Sequence, residues 1–330
     1  MSTTILDSDV LALDAVVEIE RIVDGMRQSL RKLRRRGLVV GISGGVDSGV
    51  CAALCARAVG PDKVFGLLMP EQDSSGESVT LGRQVAETLG IPFATEDIAA
   101  TLDAIGCYRW RDAAIRKVFP DYDGTWKNKI VIKGGLEGGI NHFNLVVEKP
   151  DGRLEERRLP LPEYLQIVAA TNYKQRIRKA IEYFHADRLN YAVIGTPNRL
   201  EYDQGFFVKN GDGSADIKPI AHLYKTQVYQ LARHLELPEA VATARPTTDT
   251  YSLSQGQDEF YFALPYDQMD LALWSLNHGL PAAELARRLD ITEDQARRVY
   301  ADIQAKRRTT RYQQALPLLM ETVPEIRHEL

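Results

Sequence analysis

Gly41-Ile42-Ser43-Gly44-Gly45-Val46-Asp47-Ser48 is the stretch on which the reading of this chain turns. Leu38-Val39-Val40 before it is a short apolar run that predicts a buried strand, and Gly49 to Ala58 after it predicts a helix. A strand, a turn rich in Gly and Ser, and a helix start together present free backbone N–H groups to an anion. Gly44 and Gly45 let the main chain approach a phosphate with no Cβ between them. Ser43 and Ser48 add hydroxyl donors. Asp47 is out of place beside an anion unless Mg²⁺ stands between the two, because Mg²⁺ takes one or two carboxylates together with phosphate oxygens. No Lys follows the glycines, so this is not a Walker A loop.

The remainder of the chain sets bounds. Its 330 residues suffice for one large α/β domain or two small ones, and 44% apolar residues can fill a sizeable core. A net charge of −4 argues against nucleic acid or an anionic membrane as the main partner. No apolar run reaches the length of a membrane span, and Met1 to Val10 lacks a signal pattern. The three Cys form no C-x-x-C pair, which gives neither a disulfide framework nor zinc spacing and fits a reducing cytoplasm.

Residues from about Ser8 to Arg36 predict a helix whose apolar face carries Val16, Ile19, Ile22, Val23, Met26 and Leu30. Val64 to Met69 predicts a second strand, Ile91 to Ile98 a third and Tyr191 to Thr196 a fourth, with helices between them, the last from about Asn172 to Ala186. Strands alternating with helices call for a doubly wound parallel sheet, an α/β fold of Rossmann-like type. Ligands in such sheets bind at the carboxyl ends of strands, which places the Ser43 loop and Thr196 near each other. Between about 124 and 164 the pattern breaks into short alternating runs around Pro150-Asp151-Gly152, a β-rich excursion that includes Gly134, Gly135, Gly138 and Gly139. From Tyr266 onward the chain predicts helices. The expected organisation is a nucleotide-binding domain over 1–275 and a helical extension over 276–330.

The loop resembles the S-G-G-x-D-S pyrophosphate loop of the ATP pyrophosphatases. Further on come Asn172-x-x-x-Arg176, Gly195-Thr196-x-Asn198-x-x-Glu201, Lys209-x-Gly211-Asp212-Gly213, Pro219-Ile220-x-x-Leu223-Tyr224-Lys225, Pro246-Thr247 and Gln257-Asp258-Glu259. Their order and spacing are similar to those of the NAD synthetases. Met69-Pro70 and Ser74-Ser75 look more like the synthetase part of the glutamine-dependent forms, but the length leaves no room for a glutaminase domain, so an ammonia-dependent layout is expected.

The resemblance implies an ATP-dependent reaction in which the nicotinate carboxylate of deamido-NAD is adenylated, pyrophosphate leaves, and ammonia displaces AMP. It implies that Ser43, Gly44, Gly45, Asp47, Ser48, Thr196, Lys225 and Thr247 meet ATP or its pyrophosphate, and that Asp47 and Glu201 bind Mg²⁺. It implies that Asn172, Arg176, Tyr183, Lys209 and Asp212 meet the dinucleotide, with Asp212 also able to take a proton from ammonium. A homodimer, and a separate glutaminase as ammonia source, are implied partners. The sequence departs from the family at Val208-Lys209-Asn210, at Pro197 and in the long excursion, which keeps a related ligase that adenylates another carboxylate or an oxo group for nitrogen transfer as the alternative. Pro281 to Gln304 also fits a helix-turn-helix, with Thr292 and Gln295 as a capping box. Glu293, Asp294 and Asp302 on its second helix argue against DNA and for a tail packed on the catalytic domain.

Overall fold

A computed structural model describes residues 8–133, 142–244, 251–253, 256, 261–262 and 264–326. The four glycines of the excursion, Thr247 and Gln257-Asp258-Glu259 lie outside the described residues.

Helix α1 spans Ala15–Leu33, shorter at both ends than the periodicity predicts. Asp14 starts it, accepting hydrogen bonds from the Val16 and Val17 N–H groups, and Arg34 ends it in the left-handed region at φ 54°. Strand β1 (Leu38–Gly41), α2 (Val46–Val59), β2 (Val64–Leu68), α3 (Gly76–Thr88) and β3 (Phe93–Thr95) follow in alternation. Then come α4 (Ala99–Ala104), α5 (Cys107–Val118), β4 (Lys127–Lys133), β5 (His142–Glu148), β6 (Leu154–Arg158) and the long α6 (Leu161–Leu189). Strand β7 (Ala192–Val193), α7 (Arg199–Gln204), α8 (Lys225–His234), α9 (Glu239–Ala242), α10 (Tyr266–Asn277), α11 (Ala282–Leu289) and α12 (Glu293–Gln314) complete the order.

The main sheet runs β3-β2-β1-β7, all parallel, with Leu38 paired to Val64 on one side and Ala192 on the other. Because side chains alternate along a strand, Leu38 and Val40 pack with α1, α2 and α8, while Val39, Leu67 and Val193 pack with Ala186 of α6. Helices thus cover both faces, as a parallel sheet requires. The chain order reverses direction across the sheet between β1 and β7, so a crevice opens beyond their carboxyl ends.

The excursion is a three-stranded antiparallel sheet, β4-β5-β6. One of its faces sends Ile130, Leu145 and Val147 against Ala114, Ile115 and Phe119 at the end of α5 and Ile167 of α6. At the other end of the chain, Leu285, Ala296, Val299 and Ile303 of α11 and α12 bury against Met269 and Leu273 of α10 and Leu200 of α7. The apolar face of the helix-turn-helix segment is therefore spent on packing within the chain. Among the described residues no helix is long and apolar enough to cross a membrane.

Candidate active site

The loop from Ile42 to Gly45 is tied to itself. Ser48 Oγ donates to the Gly45 carbonyl (3.0 Å) and accepts from the Ser43 N–H (3.1 Å), and the Gly45 N–H donates to Ser43 Oγ (3.3 Å). Gly44 adopts φ 84°, and a Cβ there would stand 2.4 Å from the Ser78 carbonyl oxygen in α3, so protein packing alone requires glycine. At Gly45 a Cβ would touch only Ser43 Oγ at 3.5 Å, which leaves its open side to the cavity. Gly45 is the residue before α2 and has no side chain to cap the helix, so the first N–H groups of α2 are not satisfied by a cap. These unsatisfied donors and the helix dipole favour an anion at this point.

Asp47, in the first turn of α2, forms an ion pair with Lys225, the first residue of α8. Lys225 is 2% exposed. Burial works against its ammonium, but the charges of Asp47 and Glu201 outweigh that and hold its pKa above the usual lysine value. Asn198 starts α7 in a capping box: its Oδ1 accepts from the Leu200 and Glu201 N–H groups (3.0 and 3.2 Å), and its own N–H donates to Glu201 Oε2 (3.1 Å). Its Nδ2 reaches Asp47 Oδ1 at 3.4 Å. Burial, followed by the nearby Asp47 charge, pushes the Glu201 pKa up to about 8. A fifth member arrives from α10. Asp270 Oδ1 and Oδ2 accept from the Lys225 and Thr226 N–H groups at 3.1 and 2.7 Å, so this carboxylate caps α8 and fixes where Lys225 begins. Among the described residues no group of three or more His, Cys, Asp or Glu side chains is disposed to hold a metal. Asp47 and Glu201 are a pair, which is the number Mg²⁺ uses when phosphate oxygens complete its shell.

Asp47, Glu201 and Lys225 border a cavity of about 1050 Å³. Ser43, Gly44, Gly45, Asp47, Ser48, Thr196, Glu201 and Lys225 all line it, and so do Asn172 and Asp212. One face of α6 forms a wall of it, with Tyr164, Val168, Thr171, Asn172, Gln175, Arg178, Lys179 and Glu182 at helical spacing. Asp212 accepts from the Val208 N–H (2.7 Å), and burial holds its pKa above the usual carboxylate range. Lys179 and Glu182 pair at 2.5 Å beside it, and Glu182 Oε1 lies 3.0 Å from where a Cβ on Gly41 would stand.

Arg176, Tyr183 and Lys209 are not among the described residues that line the cavity. Arg176 Nε donates to the Lys209 carbonyl (3.2 Å), Lys209 Nζ donates to the Tyr312 carbonyl (2.8 Å), and the Tyr183 hydroxyl faces Asp216 at 3.4 Å. Asn198, Asp270, Lys179 and Glu182 belong to the cluster although the sequence reading gave them no role. The capping-box spacing Asn198-x-x-Glu201 was the available signal for the first, and opposite charges three apart on a helix were the signal for the last two.

The NAD synthase family model matches residues 18–117 and 149–316. An NH(3)-dependent NAD(+) synthetase of Rhizobium meliloti (strain 1021) is 59% identical over 323 residues, 98% of this chain and 97% of that protein. Among solved structures, NMN synthetase from Francisella tularensis has a TM-score of 0.65 at 21% identity, covering 94% of this chain and all of that one. NH3-dependent NAD synthetase from Campylobacter jejuni subsp. jejuni NCTC 11168 has a TM-score of 0.61, also at 21% identity, over 94% of this chain and 100% of that one. The two structures share the fold described above, and the sequence match carries the remainder: this chain belongs to the NAD synthase family.

Proposed function

We infer that this chain is an ATP-dependent, amide-forming ligase that makes NAD from deamido-NAD and ammonia. The observation that carries this reading is the meeting of an anion-accepting loop with the Asp47–Lys225–Glu201 cluster, built on a buried lysine at the carboxyl edge of the sheet, in a chain so similar to an NH(3)-dependent NAD(+) synthetase.

A free carboxylate is inert to amines, so the reaction takes two steps. A nicotinate carboxylate oxygen attacks the α-phosphorus of ATP, the bond from that phosphorus to the bridging oxygen breaks, and pyrophosphate leaves. Ammonia then attacks the acyl carbon, AMP departs and the nitrogen loses a proton. The protein's share is positioning and charge neutralisation. Ser43, Gly44, Gly45, Ser48 and the first N–H groups of α2 are our candidates to hold pyrophosphate, with Lys225 as a compact cation beside them. Thr196 and Thr247 would add hydroxyls. Asp47 and Glu201 fit Mg²⁺, because the Asp47 charge beside Glu201 disfavours its carboxylate and a divalent cation between them would relieve that repulsion. Bound there, Mg²⁺ would supply positive charge to the leaving pyrophosphate. Asn172, Arg176, Tyr183, Lys209 and Asp212 are our candidates for the dinucleotide. Asp212, whose burial favours the protonated form, would take the ammonium proton.

We also pair the chain with a second copy of itself. The outer face of α6 exposes Leu161, Leu165, Ala169, Tyr173, Ala180 and Phe184 at helical spacing, with Phe184 62% and Leu165 54% exposed. Arg176 lies in the middle of that stripe, where a partner would complete its surroundings. The cytoplasm suits the three free, buried thiols.

Incubating the purified chain with ATP, Mg²⁺, ammonium and deamido-NAD should yield NAD and AMP one for one, and chelation should stop both. Absence of NAD, with AMP released on addition of another carboxylic acid, would transfer the reading to a related ligase.

A further inference from the structure

The apolar face of α12 is used up in the core it shares with α10 and α7, but the helix has a second face. Asp302, Lys306, Thr309, Thr310 and Gln313 recur along it at helical spacing, and all five line the cavity. The segment expected as a tail packed on the catalytic domain is therefore also a wall of the site.

The element α12 grips is α7, the helix that carries Glu201. Helix α7 has six residues, far below the length at which a helix holds itself together in water. Both of its ends must be fixed from outside. The Asn198 capping box fixes the first turn. The carbonyls of a last turn have no partner within their own helix, and here α12 provides for them directly or through Tyr261. Gln314 Nε2 donates to the Tyr202 carbonyl at 2.6 Å. The Tyr261 hydroxyl donates to the Gln204 carbonyl at 2.7 Å, and the Lys306 ammonium donates to the Tyr261 carbonyl. Gly205 ends α7 at φ 72°, and a Cβ there would stand 2.3 Å from Thr310 Cβ, so α12 lies directly on that end.

The most directional contact is made by Arg307. Its Nε and Nη2 donate to Asp203 Oδ1 and Oδ2 at 2.6 and 2.7 Å, a bidentate pair. Nη2 also donates to Asn277 Oδ1 at 2.6 Å, on the last residue of α10. Helix α10 supplies the Asp270 carboxylate that fixes where Lys225 begins. One guanidinium thus ties the helix of Glu201 to the helix that places Lys225.

We propose that α12 belongs to the catalytic apparatus, and that Arg307, acting through Asp203, is a positioning residue that sets where Glu201 stands in the cavity. The proposal rests on the reading of Glu201 as a Mg²⁺ ligand given above. Arg307→Met, Asp203→Asn and the double variant test it in the full chain. Arg297→Met is the control, because it breaks a pair with Glu293 on the same helix. Two quantities are measured. The first is amide hydrogen exchange over residues 199–208 in protein free of nucleotide and metal. The second is the free Mg²⁺ concentration for half-maximal AMP release at saturating ATP, deamido-NAD and ammonium. Arg307→Met should raise both the exchange rate and the Mg²⁺ requirement by roughly tenfold, the lower end of the effect of losing an outer partner of a metal ligand, with kcat at saturating Mg²⁺ within about twofold. A merely structural contact would lower Tm and leave the Mg²⁺ requirement where it was. Asp203→Asn should behave alike, and the double variant should be no worse than either single one, because the two side chains act as one. Arg297→Met should match wild type in both measurements. Wild-type exchange or a wild-type Mg²⁺ requirement in Arg307→Met, or additive losses in the double variant, overturns the proposal and leaves the activity reading standing. A wild-type chain whose AMP release ignores Mg²⁺ overturns the reading of Glu201 instead, and the exchange data still report whether α12 holds α7.

Discussion

Gly44→Ala isolates the contact on which the anion loop depends. The residue combines φ 84° with a hypothetical Cβ 2.4 Å from the Ser78 carbonyl oxygen and 3.2 Å from the Gly82 nitrogen. The left-handed backbone alone costs an L-residue roughly 1–2 kcal/mol. Restoring an ordinary 3.4 Å separation requires the loop to move about 1 Å off α3, which packs closely on the same loop: a Cβ on Gly82 would itself stand 2.9 Å from the Ile42 carbonyl oxygen. Adding that local strain brings the cost to roughly 2–4 kcal/mol. At about 2–4 °C per kcal/mol this is a fall of roughly 4–16 °C in Tm. A displacement of about 1 Å at a reacting centre costs on the order of a hundredfold in rate. The assay is kcat/KM for ATP by AMP release, with thermal unfolding of the same preparation. Gly76→Ala is the control, since a Cβ there meets nothing within 4 Å, and it should keep full activity. A Gly44→Ala enzyme within about threefold of wild type in kcat/KM for ATP would refute the claim that this glycine sets the phosphate geometry.

Lys225→Met should lower kcat/KM by about 10²–10³, the usual size for a lost electrostatic contact to developing charge, while Lys225→Arg recovers only part because the space around a residue 2% exposed does not admit a planar fork; single-turnover AMP formation reads both. Asp270, whose burial pushes its pKa up to about 7, binds its proton more tightly in the folded chain than in the unfolded one. Its contribution to stability is therefore present below about pH 4 and is lost as pH rises toward 7, and Tm–pH profiles of wild type and Asp270→Asn should diverge across that window by about 4 kcal/mol at most and run parallel above it. Phe184→Asp, on the exposed stripe of α6, should shift the chain from dimer to monomer in sedimentation velocity at micromolar concentration, with little change in the monomer's circular dichroism.

How far the sequence could be read depended on how many jobs each element has. Strands β1 and β2 do one job: they are buried on both faces, so their apolar runs match the observed bounds within a residue or two. The third strand is an edge, paired only to β2, and shrinks from Ile91–Ile98 to Phe93–Thr95. The fourth shrinks to Ala192–Val193: Ile194 still donates to the Val39 carbonyl (2.9 Å) but bridges Ile217 on its other side, and Thr196 beyond it lines the cavity. At the site, the loop, Thr196, Glu201 and Lys225 were legible as a set and do come together. Asp270 was not, because an acid on a helix forty-five residues from the N–H group it caps leaves no local pattern.

Helix α6 shows why periodicity fails where function is dense. It spans Leu161–Leu189, yet the apolar pattern marked only Asn172 to Ala186. Its sheet-facing side gives Ala186 to the core, its second side walls the cavity, and its third is an exposed apolar stripe. At the centre of the helix Lys174, 1% exposed, donates to Glu71 Oε1 at 3.0 Å and Asp73 Oδ2 at 2.6 Å. Arg111 of α5 also pairs with Asp73, and the Tyr108 hydroxyl donates to Glu71 Oε2 at 2.9 Å. Burying any one of these charges alone would cost several kcal/mol, so they are tolerable only as a set. The set clamps the loop after β2, whose Met69, Pro70, Ser74 and Ser75 line the cavity. A buried lysine in a helix reads from sequence as a solvent-facing one. Where a helix presents charge inward to fix a loop and apolar surface outward, the amphipathic signal inverts, and only the folded neighbours reveal which side faces water.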